Sequence, residues 1–145
     1  MPVRDARPDD LDEICNLIDE LAAYEHLEAE VVYDREEVGA RLFGQDPPAH
    51  VLLAVTDGDD VVGMALWFRT YSTFLGKEGI WLEDLFVRPA QRGRGYGLAL
   101  LTRLRELTTG RLEWAVLDWN TSAVEFYQRL GARPVDGWTR YRWLR

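Results

Sequence analysis

Ile80-Trp81-Leu82-Glu83-Asp84-Leu85-Phe86-Val87-Arg88-Pro89, running on into Ala90-Gln91-Arg92-Gly93-Arg94-Gly95-Tyr96-Gly97-Leu98, is the stretch that decides the fold of this 145-residue chain. The first half is an apolar, aromatic run that a proline stops, the pattern of a strand. The second half alternates glycine with large residues and leads into Leu98, Leu101 and Leu104 at helical spacing. A strand that passes into a helix through glycines leaves backbone N–H groups bare. At a helix N-terminus such groups, aided by the helix dipole, form an anion site. The amides of Gly93, Arg94, Gly95, Tyr96, Gly97 and Leu98 therefore fit a phosphate-bearing ligand, with the Arg92 and Arg94 side chains adding charge.

Charge along the chain supports that assignment. The net charge is −8, which argues against general nucleic-acid or anionic-membrane binding. Residues 5–37 hold thirteen acids and two arginines, whereas residues 85–105 hold five arginines and no acid. An acidic protein is thus locally basic where the glycines lie, and its remaining acidity favours a cationic substrate. The single cysteine, Cys15, permits no intrachain disulfide and sits among Leu11, Ile14, Ile18 and Leu21 as a core thiol. One cysteine and two histidines leave little for a metal site, and none is expected. The absence of a signal peptide or long apolar segment makes the cytoplasm the expected compartment.

Working outward, periodicity predicts a strand over 3–6 and a helix from Asp9 or Asp10 through Leu21. A second helix starts at the capping box Asp34/Glu37 and runs to Phe43. Strands follow over 51–55 and 61–71, joined by a turn at Asp57-Gly58. Residues 72–79 read as a loop, 80–87 as a strand, 95–108 as a helix and 112–117 as a strand. Asn120 caps a helix that Gly131 ends, and 138–144 reads as a final strand. The order implies an α/β (α+β mixed) fold: a mixed sheet with helices on both faces, one domain over 1–145.

Two familiar glycine loops fail on spacing. A Walker loop needs Gly-Lys-Ser/Thr, and the only lysine is Lys77. A dinucleotide fingerprint needs Gly-x-Gly-x-x-Gly after the first strand of a βαβ unit, but here the third glycine comes one residue early and the loop follows the fourth strand. Arg92, Gly95 and Gly97 instead fill Arg/Gln-x-x-Gly-x-Gly/Ala. That loop resembles the acyl-CoA loop of the GNAT acetyltransferase superfamily.

Further segments resemble the spermidine/spermine (diamine) acetyltransferases and their thialysine-acetylating relatives. They are Leu21-Ala22-Ala23-Tyr24-Glu25, Leu75-Gly76-Lys77, Trp81 through Val87, Trp119-Asn120, Phe126-Tyr127 and Gly137-Trp138. Three features depart from the polyamine enzymes: a shorter turn at 56–60, an end at Arg145 right after the last strand, and Glu113-Trp114-Ala115. The resemblance implies a GNAT fold with a twisted, mostly antiparallel sheet of six to seven strands flanked by four helices. It also implies an acetyl-CoA donor and a homodimer. The acceptor it implies is a small cationic amine: a diamine, a polyamine or a lysine analogue such as thialysine. A protein or peptide amine acetyltransferase, or a non-catalytic acyl-CoA-binding regulator, are the alternatives.

The chemistry distributes over named residues. An aliphatic ammonium has a pKa near 10.4, so at pH 7 only about one molecule in 2,500 is neutral, and a carboxylate that takes its proton is needed. Glu83, mid-strand in an apolar run, is the candidate base. Its alternative is a structural carboxylate. Asp84 would face the opposite side unless a bulge breaks the alternation. Tyr127 is the candidate general acid for the departing thiolate. Asn120, seven residues before it and so on the same helix face, is expected with Ser122 to hold the pantetheine arm. The strand end at Leu85, Phe86 and Val87 is expected to pair with that arm. By resemblance Tyr24, Glu25, Glu83, Asp84 and Trp114 line the amine pocket.

Overall fold

A computed structural model describes residues 2–145. Its strands are β1 (Val3–Asp5), β2 (His50–Val55), β3 (Val61–Ser72), β4 (Lys77–Val87) and β5 (Leu112–Trp114), side by side in that order. All neighbours are antiparallel except β4 and β5, which are parallel. A parallel pair needs a crossover, and α3 (Tyr96–Glu106) supplies it. The other helices are α1 (Leu11–Tyr24), α2 (Arg35–Phe43) and α4 (Thr121–Arg129).

Strand alternation splits the apolar residues between two faces. Val51, Leu53, Val55, Met64 and Phe86 join Ile14, Leu17 and Leu21 of α1 and Leu42 of α2 in one core. On the other face Leu52, Ala54, Ile80 and Leu82 are buried, as are Leu100, Leu101 and Leu104 of α3. Asp34 caps α2 by accepting from Glu36 N at 2.9 Å. Glu37 does not complete the expected box but binds Arg41 one turn on, at 2.7 Å.

Contacts group the chain into two compact units, residues 2–115 and 116–145. The first carries the whole sheet with α1, α2 and α3, and the second carries α4.

Three expectations need correction. The loop read over 72–79 shrinks to four residues, because Ser72 already pairs with Lys77. Gly76, at φ 64°, turns the hairpin, and its N–H donates to Ser72 O at 2.8 Å. The strand read over 112–117 ends at Trp114, since its partner β4 offers a ladder only from Ile80 to Leu82. The final strand read over 138–144 is absent, so the described residues hold five strands rather than six or seven. That segment alternates cleanly but has aromatic or basic residues on both sides. Tyr141 and Trp143 are 95% and 100% exposed. Alternation marks faces; a strand also needs a ladder partner, which the pattern cannot supply.

Candidate active site

β4 runs out at Val87, and a short 3-10 turn over Pro89–Gln91 leads into the glycine loop. Gly93 and Gly95 have φ of 76° and 89°, a backbone region that side-chain-bearing residues rarely enter. Gly95 is the N-cap of α3, and the first helical hydrogen bond runs from Ala99 N to Gly95 O at 3.0 Å. The amides before Ala99 therefore precede the ladder and gather at the positive end of the helix dipole. A Cβ added to Gly93 would meet no atom within 4 Å, so that side of the loop is open to a ligand. Arg94 is exposed beside it.

The same strand end has an open edge. β5 pairs with β4 only as far as Leu82, while β3 continues alongside β4 to Val87. Arg88 N donates to Val62 O on the β3 side at 2.9 Å. By antiparallel alternation, Leu85 and Val87 point their backbone groups the other way, along the edge that β5 leaves, where Val87 O already accepts from Arg92 Nε at 2.8 Å. An extended ligand with amide groups can hydrogen-bond there as an extra strand. Phe86 differs: its backbone faces β3 opposite Met64, and its ring is buried.

A β-bulge shapes the acceptor side. Leu66 pairs with Asp84 and Trp67 with Leu82, which leaves Glu83 as the extra residue of β4. The bulge lets Leu82 enter the core on one face while Asp84, like Phe86, lies on the face that α1 covers. Glu83 is exposed and Asp84 half-buried. Burial, reinforced by the charges of Glu83 and Glu25, pushes the Asp84 carboxyl up from 3.8 to about 7. Burial also raises Glu25 above the usual carboxylate range. The charges of Glu83 and Glu25 thus both bear on Asp84, which is poised near neutral pH.

Glu25 owes its place to how α1 stops. Glu25 is the C-cap, and His26 adopts φ 60°, the left-handed turn that ends helices. Leu27 N closes the turn on Ala22 O at 2.8 Å. Tyr24, in the last helical position, sets its ring 6.3 Å from that of Phe86. The Arg92 guanidinium lies 4.6 Å from the Tyr24 centroid.

Residues 11–132 match the Acetyltransferase (GNAT) family. The chain belongs to that family. As a GNAT acetyltransferase it is an enzyme of amine acetylation, and its relatives agree. A thialysine N-epsilon-acetyltransferase from Sus scrofa is 36% identical, over 97% of this chain and 90% of the relative. A spermidine/spermine N(1)-acetyltransferase-like protein from Homo sapiens is 31% identical, over 99% of this chain and 22% of the relative. Among solved structures, an integron cassette protein from V. cholerae superposes with a TM-score of 0.79 at 24% identity, covering 99% of this chain and 91% of that one, and so shares the fold.

In the second unit of this acetyltransferase, Asn120 is the buried N-cap of α4. Its Oδ1 accepts from Ala123 N and from Ser122 Oγ, both at 3.4 Å. Tyr127 follows two turns later on the same helix face, half-buried, its ring 5.5 Å from that of Phe126. Trp114, the last residue of β5, lies opposite Leu82, just before the bulge.

No sequence motif of this GNAT acetyltransferase singles out Arg88. Its guanidinium binds Glu20 Oε2 at 3.0 Å, Glu13 Oε2 at 3.0 Å and Val61 O at 2.9 Å. The available signal was the seven-residue spacing of Glu13 and Glu20, which stacks both acids on one stripe of α1.

Proposed function

We propose that residues 1–145 form a single acetyl-CoA-dependent N-acetyltransferase domain that acts on the primary amine of a small cationic acceptor by direct transfer. Diamines, polyamines and lysine analogues such as thialysine are the acceptor class. The observation that carries this reading is the β4 bulge that sets Asp84 where the charges of Glu83 and Glu25 bear on it, on a strand whose end runs into a glycine loop.

The loop amides from Gly93 to Leu98, with Arg94, hold the pyrophosphate, and the edge at Leu85 and at the Val87 N–H takes the pantetheine amides. The bound thioester supplies an electrophilic carbonyl and a thiolate leaving group. The carboxylates draw in the ammonium. Glu83, exposed at the bulge, takes its proton directly or through water, overcoming roughly 4.6 kcal/mol of protonation at pH 7. Asp84, close to half-protonated at neutral pH, ionises as the cation arrives and so matches the charge it meets. The amine nitrogen then forms its bond to the carbonyl carbon as the C–S bond breaks. Tyr127 gives its phenolic proton to the sulfur and regains one through water as the nitrogen, cationic once bonded to the carbonyl carbon, releases its second proton, while Asn120 and Ser122 bind the arm.

A homodimer belongs to the same reading, supported by the family resemblance and by the exposed Trp138, Tyr141, Trp143 and Leu144. A cytoplasmic site of action does too, and no helix among the described residues is long and apolar enough to cross a membrane. The test is thiol release from acetyl-CoA with diamines, polyamines, lysine analogues and basic peptides. Turnover with the small cations supports the proposal. Turnover with peptides alone would indicate a protein acetyltransferase, and none with any amine would leave an acyl-CoA-binding regulator.

A further inference from the structure

Arg92 carries the motif arginine, which the sequence reading gives to the phosphate. Its side chain is engaged elsewhere. Nε donates to Val87 O at 2.8 Å, on the last residue of β4. The guanidinium carbon lies 4.6 Å from the Tyr24 centroid and 5.3 Å from the Phe86 centroid. A planar, weakly hydrated guanidinium is suited to such stacking, as a lysine ammonium is not.

This is one of two arginine contacts that tie α1 to the end of β4 and its loop. Glu13, Glu20 and Tyr24 follow one another at seven and four residues, so they form one stripe of α1. Arg88 grips the two acids, and Arg92 grips the tyrosine. The two arginines bracket the turn over Pro89–Gln91, where Gln91 N bonds to Arg88 O at 2.9 Å and Arg92 N to Pro89 O at 3.3 Å. Gly93, first of the anion-site amides, follows Arg92 directly.

We propose that Arg92 is a positioning residue for the acceptor: by stacking on Tyr24 it fixes the end of α1, and with it Glu25, against the strand that carries Glu83 and Asp84. This rests on the assignment of Tyr24 and Glu25 to the amine pocket. It makes the start of the donor loop and the acceptor wall one mechanical piece.

The experiment compares wild type with Arg92→Gln, Arg92→Lys, Tyr24→Leu and the Arg92→Gln/Tyr24→Leu double variant. CoA affinity is measured by calorimetry. Acceptor KM and kcat are measured with acetyl-CoA and with acetyl-pantetheine, which lacks the pyrophosphate. Each Arg92 variant is expected to raise acceptor KM about 10-fold, while CoA affinity changes by less than about 2-fold. The acceptor defect persists with acetyl-pantetheine, and the double variant is no worse than Tyr24→Leu. Tyr24→Leu leaves Arg92 in place, so it reads the pair even if an Arg92 variant does not fold. A CoA affinity loss of about 10-fold or more with unchanged acceptor KM, abolished when acetyl-pantetheine is the donor, would make Arg92 a phosphate ligand and overturn the proposal. Failure of the wild type to turn over any amine would instead refute the underlying reaction, and the assignment with it.

Discussion

The proposed donor half and the proposed acceptor half of this enzyme are built from different materials. The donor half is backbone: two glycines in left-handed conformations, a row of amides ahead of α3, and a strand edge that β5 leaves unpaired. The acceptor half is side chains: Glu83 and Asp84 turned by a bulge, and Tyr24 and Glu25 set by the end of α1. Backbone groups recognise what all acyl-CoA donors share, whereas side chains can change to suit one amine. One half is thus fixed by its cosubstrate and the other is free to diverge.

The largest expected effect belongs to neither half. Tyr127→Phe should lower kcat by about 10²–10⁴-fold at saturating amine, measured by thiol release, with CoA affinity unchanged. Full turnover would remove the general acid from the mechanism.

Gly95→Val breaks the donor half alone. A β-branched residue at φ 89° is strained, and CoA affinity should fall roughly 10–100-fold by calorimetry. Amine binding to the free enzyme should stay within about 2-fold, and parallel losses on both sides would erase the distinction between the halves.

The acceptor half has a proton signature. With Asp84 at about 7, amine binding at pH 7 should expel up to about half a proton. The measured binding heat will then depend on the ionisation enthalpy of the buffer, and Asp84→Asn should abolish that dependence.

The smallest effect is on stability. Between the ordinary 3.8 and about 7, the folded chain keeps a proton on Asp84 that the unfolded chain has released. This contribution to stability therefore falls as pH rises through that window and is level above it. Asp84→Asn should raise Tm by a few degrees at pH 8 and leave it unchanged below pH 4.

The two halves were also unequally legible in the sequence. Gly93, Gly95 and Gly97 announce their loop because only glycine serves such backbone, and Pro89 marks where the strand stops. The acceptor side depends on a register shift opposite Leu66 and Trp67, which no residue pattern announces. Strict alternation sets Asp84 apart from Glu83; the bulge gives it a place beside Glu83 and Glu25. Arg92 was visible as a motif position, yet its stacking on Tyr24 joins residues 68 apart in sequence and exists only once α1 is packed. The segment 138–144 misled for the opposite reason, since its alternation is real but its ladder partner is not supplied by the pattern.

In the proposed mechanism a cluster of carboxylates selects a cationic acceptor beside a backbone-held donor. Its most direct test is kcat/KM for 1,3-diaminopropane against propylamine at pH 7.5 with saturating acetyl-CoA. The second positive charge should raise kcat/KM at least about 10-fold, and Glu25→Gln/Glu83→Gln should remove most of that preference. Equal kcat/KM for the two amines, or a preference untouched by the double substitution, would contradict the account.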